Sequence, residues 1–142
     1  MTEVREARDA EEVAAALALR EAVFCGEQGV SLADELDGRD DEAAHLVAIE
    51  DGAVVGTCRL LVEGSTVTLG RMAVAPAARG RGLSRALLDA AHARARALGA
   101  QRIALAAQLT VQGLYERAGY APYGDVFLDA GIEHVMMAKP LR

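Results

Sequence analysis

Tryptophan is absent from this 142-residue chain, and only two phenylalanines and three tyrosines supply its aromatic surface. Proteins that hold single-stranded nucleic acid stack bases on aromatic side chains, and this chain has few to offer. Basic excess is lacking as well. The formal net charge is −6, whereas nucleic-acid binders carry a basic footprint. Cysteine is limited to Cys25 and Cys58, too few and too far apart for metal-type spacing, so no metal and free thiols are expected. No apolar run approaches the length of a membrane span. The N-terminal residues M-T-E-V-R-E-A-R-D-A-E-E are charged and acid-rich with no apolar signal core. The expectation is one cytoplasmic domain over residues 1–142, with no nucleic-acid or membrane partner. At this length it can bury most of its apolar half in one core.

Against that background, Val74 to Arg85 (V-A-P-A-A-R-G-R-G-L-S-R) stands out. An apolar segment runs into Pro76, then a loop with Arg79, Gly80, Arg81 and Gly82, then a helix rich in alanine and leucine. The glycines allow a tight turn and close backbone approach to a bound group. The helix start adds unpaired N–H donors and the positive end of the macrodipole. Arginines at such a place oppose the dipole unless an anion lies between them, so the loop reads as a phosphate cradle. It is not a P-loop, because no Gly-Lys-Ser/Thr closes it, and it lacks the third glycine of a dinucleotide fingerprint.

Hydrophobic periodicity and turn residues organise the rest. Asp9 and Glu12 form a capping-box pattern for a helix reaching about Phe24, with Val13, Ala16, Leu17 and Phe24 as its buried stripe. Gly26 and Gly29 break it, and Ser31 to Glu42 reads as a polar, acidic loop. Strands are expected at 44–50, 53–62 and 66–74, the first two joined at Asp51-Gly52. A helix follows over about 83–98, ended by Gly99. Then come a strand at 102–107, a short helix at 111–118 ended by Gly119, and two closing strands around 129–131.

This order, with V-A-P-A-A-R-G-R-G-L-S and L-Y-E-R-A-G-Y some thirty residues on, resembles the GNAT superfamily of acyl-CoA-dependent N-acetyltransferases over essentially the whole chain. V-F-C-G-E-Q-G-V, D-E-L-D-G-R-D, A-H-L and G-I-E-H-V-x-M are similar to small bacterial YjcF-like or ElaA-like members. The resemblance implies an α+β fold, with a mixed, mostly antiparallel sheet of six or seven strands flanked by helices. It implies acetyl-CoA as acyl donor and an amine acceptor. Coenzyme A pyrophosphate would lie on Arg79, Gly80, Arg81, Gly82, Leu83 and Ser84, with Arg85 in the first turn of the helix. Ser84 departs from the usual Gly or Ala. Met72, Ala73 and Val74 would pair their backbone with the pantetheine arm. Tyr115 matches the superfamily tyrosine that faces the sulfur, and Gln108 stands where many members carry a cofactor-contacting asparagine.

Acyl transfer to an amine also needs a neutral nucleophile. An alkyl ammonium with a pKa near ~10 is about one part in a thousand neutral at pH 7, a handicap of roughly 4 kcal/mol. Glu27 and Gln28, after the first helix, are candidates on the acceptor side, as is His45. His45 and His134 each lie on an apolar strand face, where a histidine is usually a core residue and less often a base or ligand. The six carboxylates between Asp34 and Glu42 are either solvated or draw a cationic acceptor inward. An exposed sheet edge near the C-terminus could support a homodimer, as in relatives. The alternatives to catalysis are a silent domain that binds acyl-CoA as a sensor or interaction module, and an acyl-CoA-using synthase on the related homoserine-lactone fold. Neither the acceptor nor the acyl chain is legible.

Overall fold

The computed structural model describes residues 2–141. Seven strands form one sheet: β1 (Thr2–Glu6), β2 (Ala44–Glu50), β3 (Ala53–Glu63), β4 (Thr66–Val74), β5 (Arg102–Gln108), β6 (Ala121–Asp129) and β7 (Ile132–Pro140). Their order across the sheet is β1-β2-β3-β4-β5-β7-β6. Every pairing is antiparallel except β4 with β5. This is the mixed α+β sheet the sequence leads one to expect. The helices are α1 (Ala10–Arg20), α2 (Leu32–Glu35), α3 (Leu83–Ala97) and α4 (Gln112–Arg117).

The first strand is the main addition to the sequence reading. The N-terminal segment is charged, but Val4 and its neighbours pair with β2, with Val4 opposite Ala48. An edge strand needs only one covered face, so its charged residues hide the alternation. Two other segments differ. The first helix is regular to Arg20 and continues in wider π-helical turns through Glu27, past Gly26. The segment read as an acidic loop contains α2 and a 3₁₀ turn at Asp40–Glu42. The C-terminal edge strand is β6, along which all nine residues are exposed, including Val126 and Leu128.

Strand alternation divides the core. Leu46, Ala48, Cys58, Leu60, Val67, Leu69, Ile103, Leu105 and Met137 pack under Leu87, Leu88, Ala91 and Ala95 of α3. The intervening residues Val47, Thr57, Arg59, Leu61 and Ala104 are also buried and point the other way, toward α1. No helix among the described residues is long and apolar enough to cross a membrane.

His92 of α3 is buried and shares a 2.7 Å hydrogen bond with the Tyr120 hydroxyl. Burial, with Lys139 and Arg96 nearby, pushes its pKa down to about 4. The folded state therefore resists a proton that the unfolded chain accepts near pH 6.5. Stability is full above that pH and falls as the pH drops toward 4, by about 3 kcal/mol over the window. Denaturant titrations at pH 7, 5.5 and 4.5 should show this decline, its part above pH 5.5 preceding the protonation of the carboxylates. A flat profile between pH 7 and 4.5 would contradict it.

Candidate active site

A β-bulge at the middle of the sheet makes the site. Arg59 pairs with Gly70 and Thr57 with Ala73, so Cys58 alone faces both Arg71 and Met72. Arg71 takes the left-handed φ of 53° that such a bulge uses, without being glycine. The kink turns β4 away from β5. Their parallel pairing runs only from Thr66–Arg102 to Leu69–Leu105 and then stops. Beyond it, β4 from Gly70 onward presents free backbone to the gap, while β5 continues on β7 as far as Gln108 opposite His134.

The gap opens a cavity of about 490 Å³. Gly70, Arg71 and Met72 form one wall, Ala106 and Gln108 the other, with Ser84 and Tyr115 also lining it. Because it passes between two strands, the cavity reaches both faces of the sheet. Tyr115, in α4, belongs to the core on the α3 face. Gln108 and His134 lie on the α1 face, by alternation with Ala107 and Val135 of that core.

Tyr115 is buried, and its hydroxyl makes no hydrogen bond within the described residues. Burial, with Cys58 adding to it, raises its pKa to about 12. Burial also pushes the neighbouring Cys58 thiol up to about 12. Both cysteines are free.

The glycine-arginine loop sits at one end of β4. Gly80 and Gly82 adopt φ of 77° and 78°, and a Cβ on either would meet no atom within 4 Å. Gly82 caps α3, whose first backbone bond is from Ala86 N–H to the Gly82 carbonyl. The N–H groups of Leu83, Ser84 and Arg85 are thus left at the helix start. Each loop arginine meets a carboxylate. Arg79 donates from Nη1 and Nη2 to Glu27 at 2.6 and 2.7 Å, with Nε on the Val74 carbonyl at 3.0 Å. Arg81 reaches Glu50 at 2.9 Å, and Arg85 reaches Asp89 at 3.1 Å. The bond from Arg79 holds the Glu27 carboxyl below its usual range. Glu27 is therefore drawn to the glycine-arginine loop rather than into the cavity. Its neighbour Gln28 does line the cavity and accepts a 3.2 Å hydrogen bond from Gln108.

The acidic segment is not simply a solvated surface. Arg20, 1% exposed, donates to Glu35 at 2.9 and 2.7 Å and to Asp40 at 2.7 Å. Arg59, 4% exposed, binds Asp37 and Asp40. Arg71 crosses from the bulge to Glu35 at 3.2 Å. The hydrogen bond from Arg59 keeps Asp37 well below the ordinary carboxylate range. Three of the six carboxylates are thus consumed in clamping this segment over the α1 face. Acidic spacing carried no sign of it, because the three arginines come from distant elements.

His45 lies on that same face but does not line the cavity. It is buried, and its Nε2 meets the Asp40 carbonyl at 2.9 Å. Ala73 and Val74 are buried beyond the cavity wall, leaving their backbone as the feature of interest. Sequence reasoning missed Arg59, Arg71 and Phe127 as cavity residues. No cluster of three or more His, Cys, Asp or Glu among the described residues could hold a metal ion.

A splayed parallel strand pair, a bulge and a glycine-arginine loop opening a helix together define a class of transferase fold. The chain belongs to the acetyltransferase (GNAT) domain family, which it matches over residues 7–141. It is 31% identical to YjcF of Bacillus subtilis (strain 168), an uncharacterised N-acetyltransferase, over 94% of this chain and 96% of that one. The structure of an acyl-CoA N-acyltransferase from Pseudomonas aeruginosa is similar at TM-score 0.86 and 31% identity, with 98% of both chains covered. Escherichia coli ElaA is similar at TM-score 0.87 and 26% identity, covering 98% of this chain and 99% of that one.

Proposed function

We propose that the protein transfers an acetyl group from acetyl-CoA to a primary amine of a small molecule or protein, by direct attack of the amine. The observation that carries this reading is the cavity between β4 and β5, which joins the glycine-arginine loop region at Ser84 to Tyr115 and opens on both sheet faces. The pyrophosphate would take the N–H groups from Arg79 to Arg85 and the Arg79 guanidinium. The pantetheine amides would add to the free edge of β4 at Met72, Ala73 and Val74. A backbone N–H beside the bulge would hold the carbonyl oxygen as it becomes an oxyanion.

As the amine nitrogen bonds to the acyl carbon, the C–S bond breaks and the sulfur needs a proton. Tyr115 would supply it. A phenol at about 12 is a poor acid toward a thiolate in water. Burial disfavours a thiolate as well, as the raised Cys58 thiol shows, so the same medium that weakens the phenol as an acid strengthens the leaving thiolate as a proton acceptor. The high value also keeps Tyr115 protonated at every pH the enzyme meets.

Incubating the protein with acetyl-CoA and a panel of primary amines, with thiol release as readout, tests the reading. Amine-dependent release is expected. Binding of acetyl-CoA with no release to any amine would favour the silent, sensor-like alternative.

The Arg79–Glu27 pair bears on affinity. The carboxylate occupies the guanidinium that the pyrophosphate would use, so the two anions compete. Glu27→Gln should tighten coenzyme A binding a few-fold, the scale of an exposed ion pair, without affecting an acetyl-pantetheine lacking the pyrophosphate. Equal effects on both ligands would contradict the competition.

A further inference from the structure

The proton that leaves the amine has no acceptor among the residues discussed so far, since Glu27 is held by Arg79 and His45 lies outside the cavity. We propose that His134 is the catalytic base of this site. The inference rests on the N-acyltransferase reading above.

His134 sits on β7 and lines the cavity, directly across the ladder from Gln108. Its Nδ1 lies 2.7 Å from the carbonyl oxygen of Ile132. A carbonyl can only accept, so Nδ1 must carry the proton. In the neutral ring, Nε2 is then the atom with the lone pair. Nε2 makes no hydrogen bond within the described residues. Phe127 stacks on the ring, with centroids 5.8 Å apart and planes 24° apart, and fixes its orientation from the neighbouring strand. This is how an oriented base is built: one nitrogen anchored to the backbone, the ring held by packing, and the other nitrogen left without a protein partner on a residue that lines the cavity.

Placement relative to Tyr115 supports the role. Tyr115 approaches the gap from the α3 face and His134 from the α1 face. An acyl carbon in the gap would be attacked from one face while its sulfur leaves toward the other. A base on the α1 face and an acid on the α3 face serve those two proton transfers without competing. In the base step the ammonium N–H bond breaks, the Nε2–H bond forms, and the imidazolium passes that proton to solvent before the neutral amine attacks. As the C–S bond breaks, the attacking nitrogen loses its second proton to Nε2 while the Tyr115 phenol protonates the sulfur. The imidazolium then releases its proton to solvent and the phenolate regains one from solvent, so one proton is released per turnover. The other titratable groups lining the cavity are Asp34, Glu35, Arg59, Arg71, Tyr115 and Asp129. Glu35 is engaged by Arg20 and Arg71, and Arg59 by Asp37 and Asp40. Asp34 and Asp129 are the carboxylates left on this side, and they favour the cationic acceptor that needs deprotonation.

The test has two independent readouts. First, ¹⁵N NMR of the imidazoles in the free protein at pH 8 should show His134 with a protonated Nδ1 and a bare Nε2. The opposite tautomer would overturn the assignment whatever the activity. Second, His134→Asn keeps a side-chain N–H donor for the Ile132 carbonyl but has no base. It should bind acetyl-CoA as the wild type does, which reports correct folding. With benzylamine or putrescine its thiol release should fall about 100-fold. With hydroxylamine, already neutral at pH 7, the defect should be much smaller. A variant equally impaired on all three amines, or unimpaired on benzylamine, overturns the base role alone. A wild-type protein that releases no thiol with any amine overturns the transfer reading and the base with it.

Discussion

Replacing Glu35 with alanine should destabilise the protein by about 3–5 kcal/mol, the cost of removing one partner from a buried ion pair. Glu35 is 3% exposed and accepts from Arg20 at 2.9 and 2.7 Å while meeting Arg71 at 3.2 Å. Without it, Arg20, buried under the acidic segment, keeps only Asp40, while Arg71 at the bulge keeps the residue-35 backbone carbonyl at 3.1 Å and the longer contact to Asp37 at 3.5 Å. A chain of this size has ~5–15 kcal/mol of stability in total, so the loss would be a large share. Urea unfolding of Glu35→Ala and Glu35→Gln measures it. The glutamine keeps one acceptor oxygen for Arg20 and should cost distinctly less. A loss below about 1 kcal/mol for alanine, the level of a surface pair, would show that the cluster does not hold the segment down.

Tyr115→Phe should lower turnover about 100-fold with a saturating amine, the scale of general acid catalysis, and leave acetyl-CoA affinity nearly unchanged. The substitution removes one oxygen from a side chain that otherwise packs edge-on against Tyr120 at 5.8 Å. The core therefore survives and the effect falls on chemistry alone. A pH signature accompanies it. With the Tyr115 pKa near 12, wild-type turnover should stay level through pH 10, where an unperturbed tyrosine is half ionised. Turnover that is unaltered in the phenylalanine variant would remove the assignment.

The proposed cofactor half of this site is legible in sequence because it is local. Arg79 to Ser84 and the α3 start form one contiguous run, and the conformations of Gly80 and Gly82 follow from having no Cβ. Tyr115 follows from a short motif. The acceptor half is not local. Arg20, Arg59 and Arg71 come from α1, β3 and β4, and only the fold brings them to Glu35, Asp37 and Asp40. The same six carboxylates read as solvent-facing until their partners are in place. His134 is a parallel case: its strand face can be read from alternation, but its tautomer depends on the Ile132 carbonyl two residues away. β1 stayed hidden because an edge strand with charged residues carries no apolar alternation to detect.

The central claim, that the cavity and its loop bind acyl-CoA, is tested most directly by calorimetric titration of the purified protein with acetyl-CoA and with coenzyme A. Saturation near one equivalent for both ligands is expected. No heat with either ligand, from a protein shown to be folded, would contradict the phosphate-loop assignment on which the proposed chemistry depends.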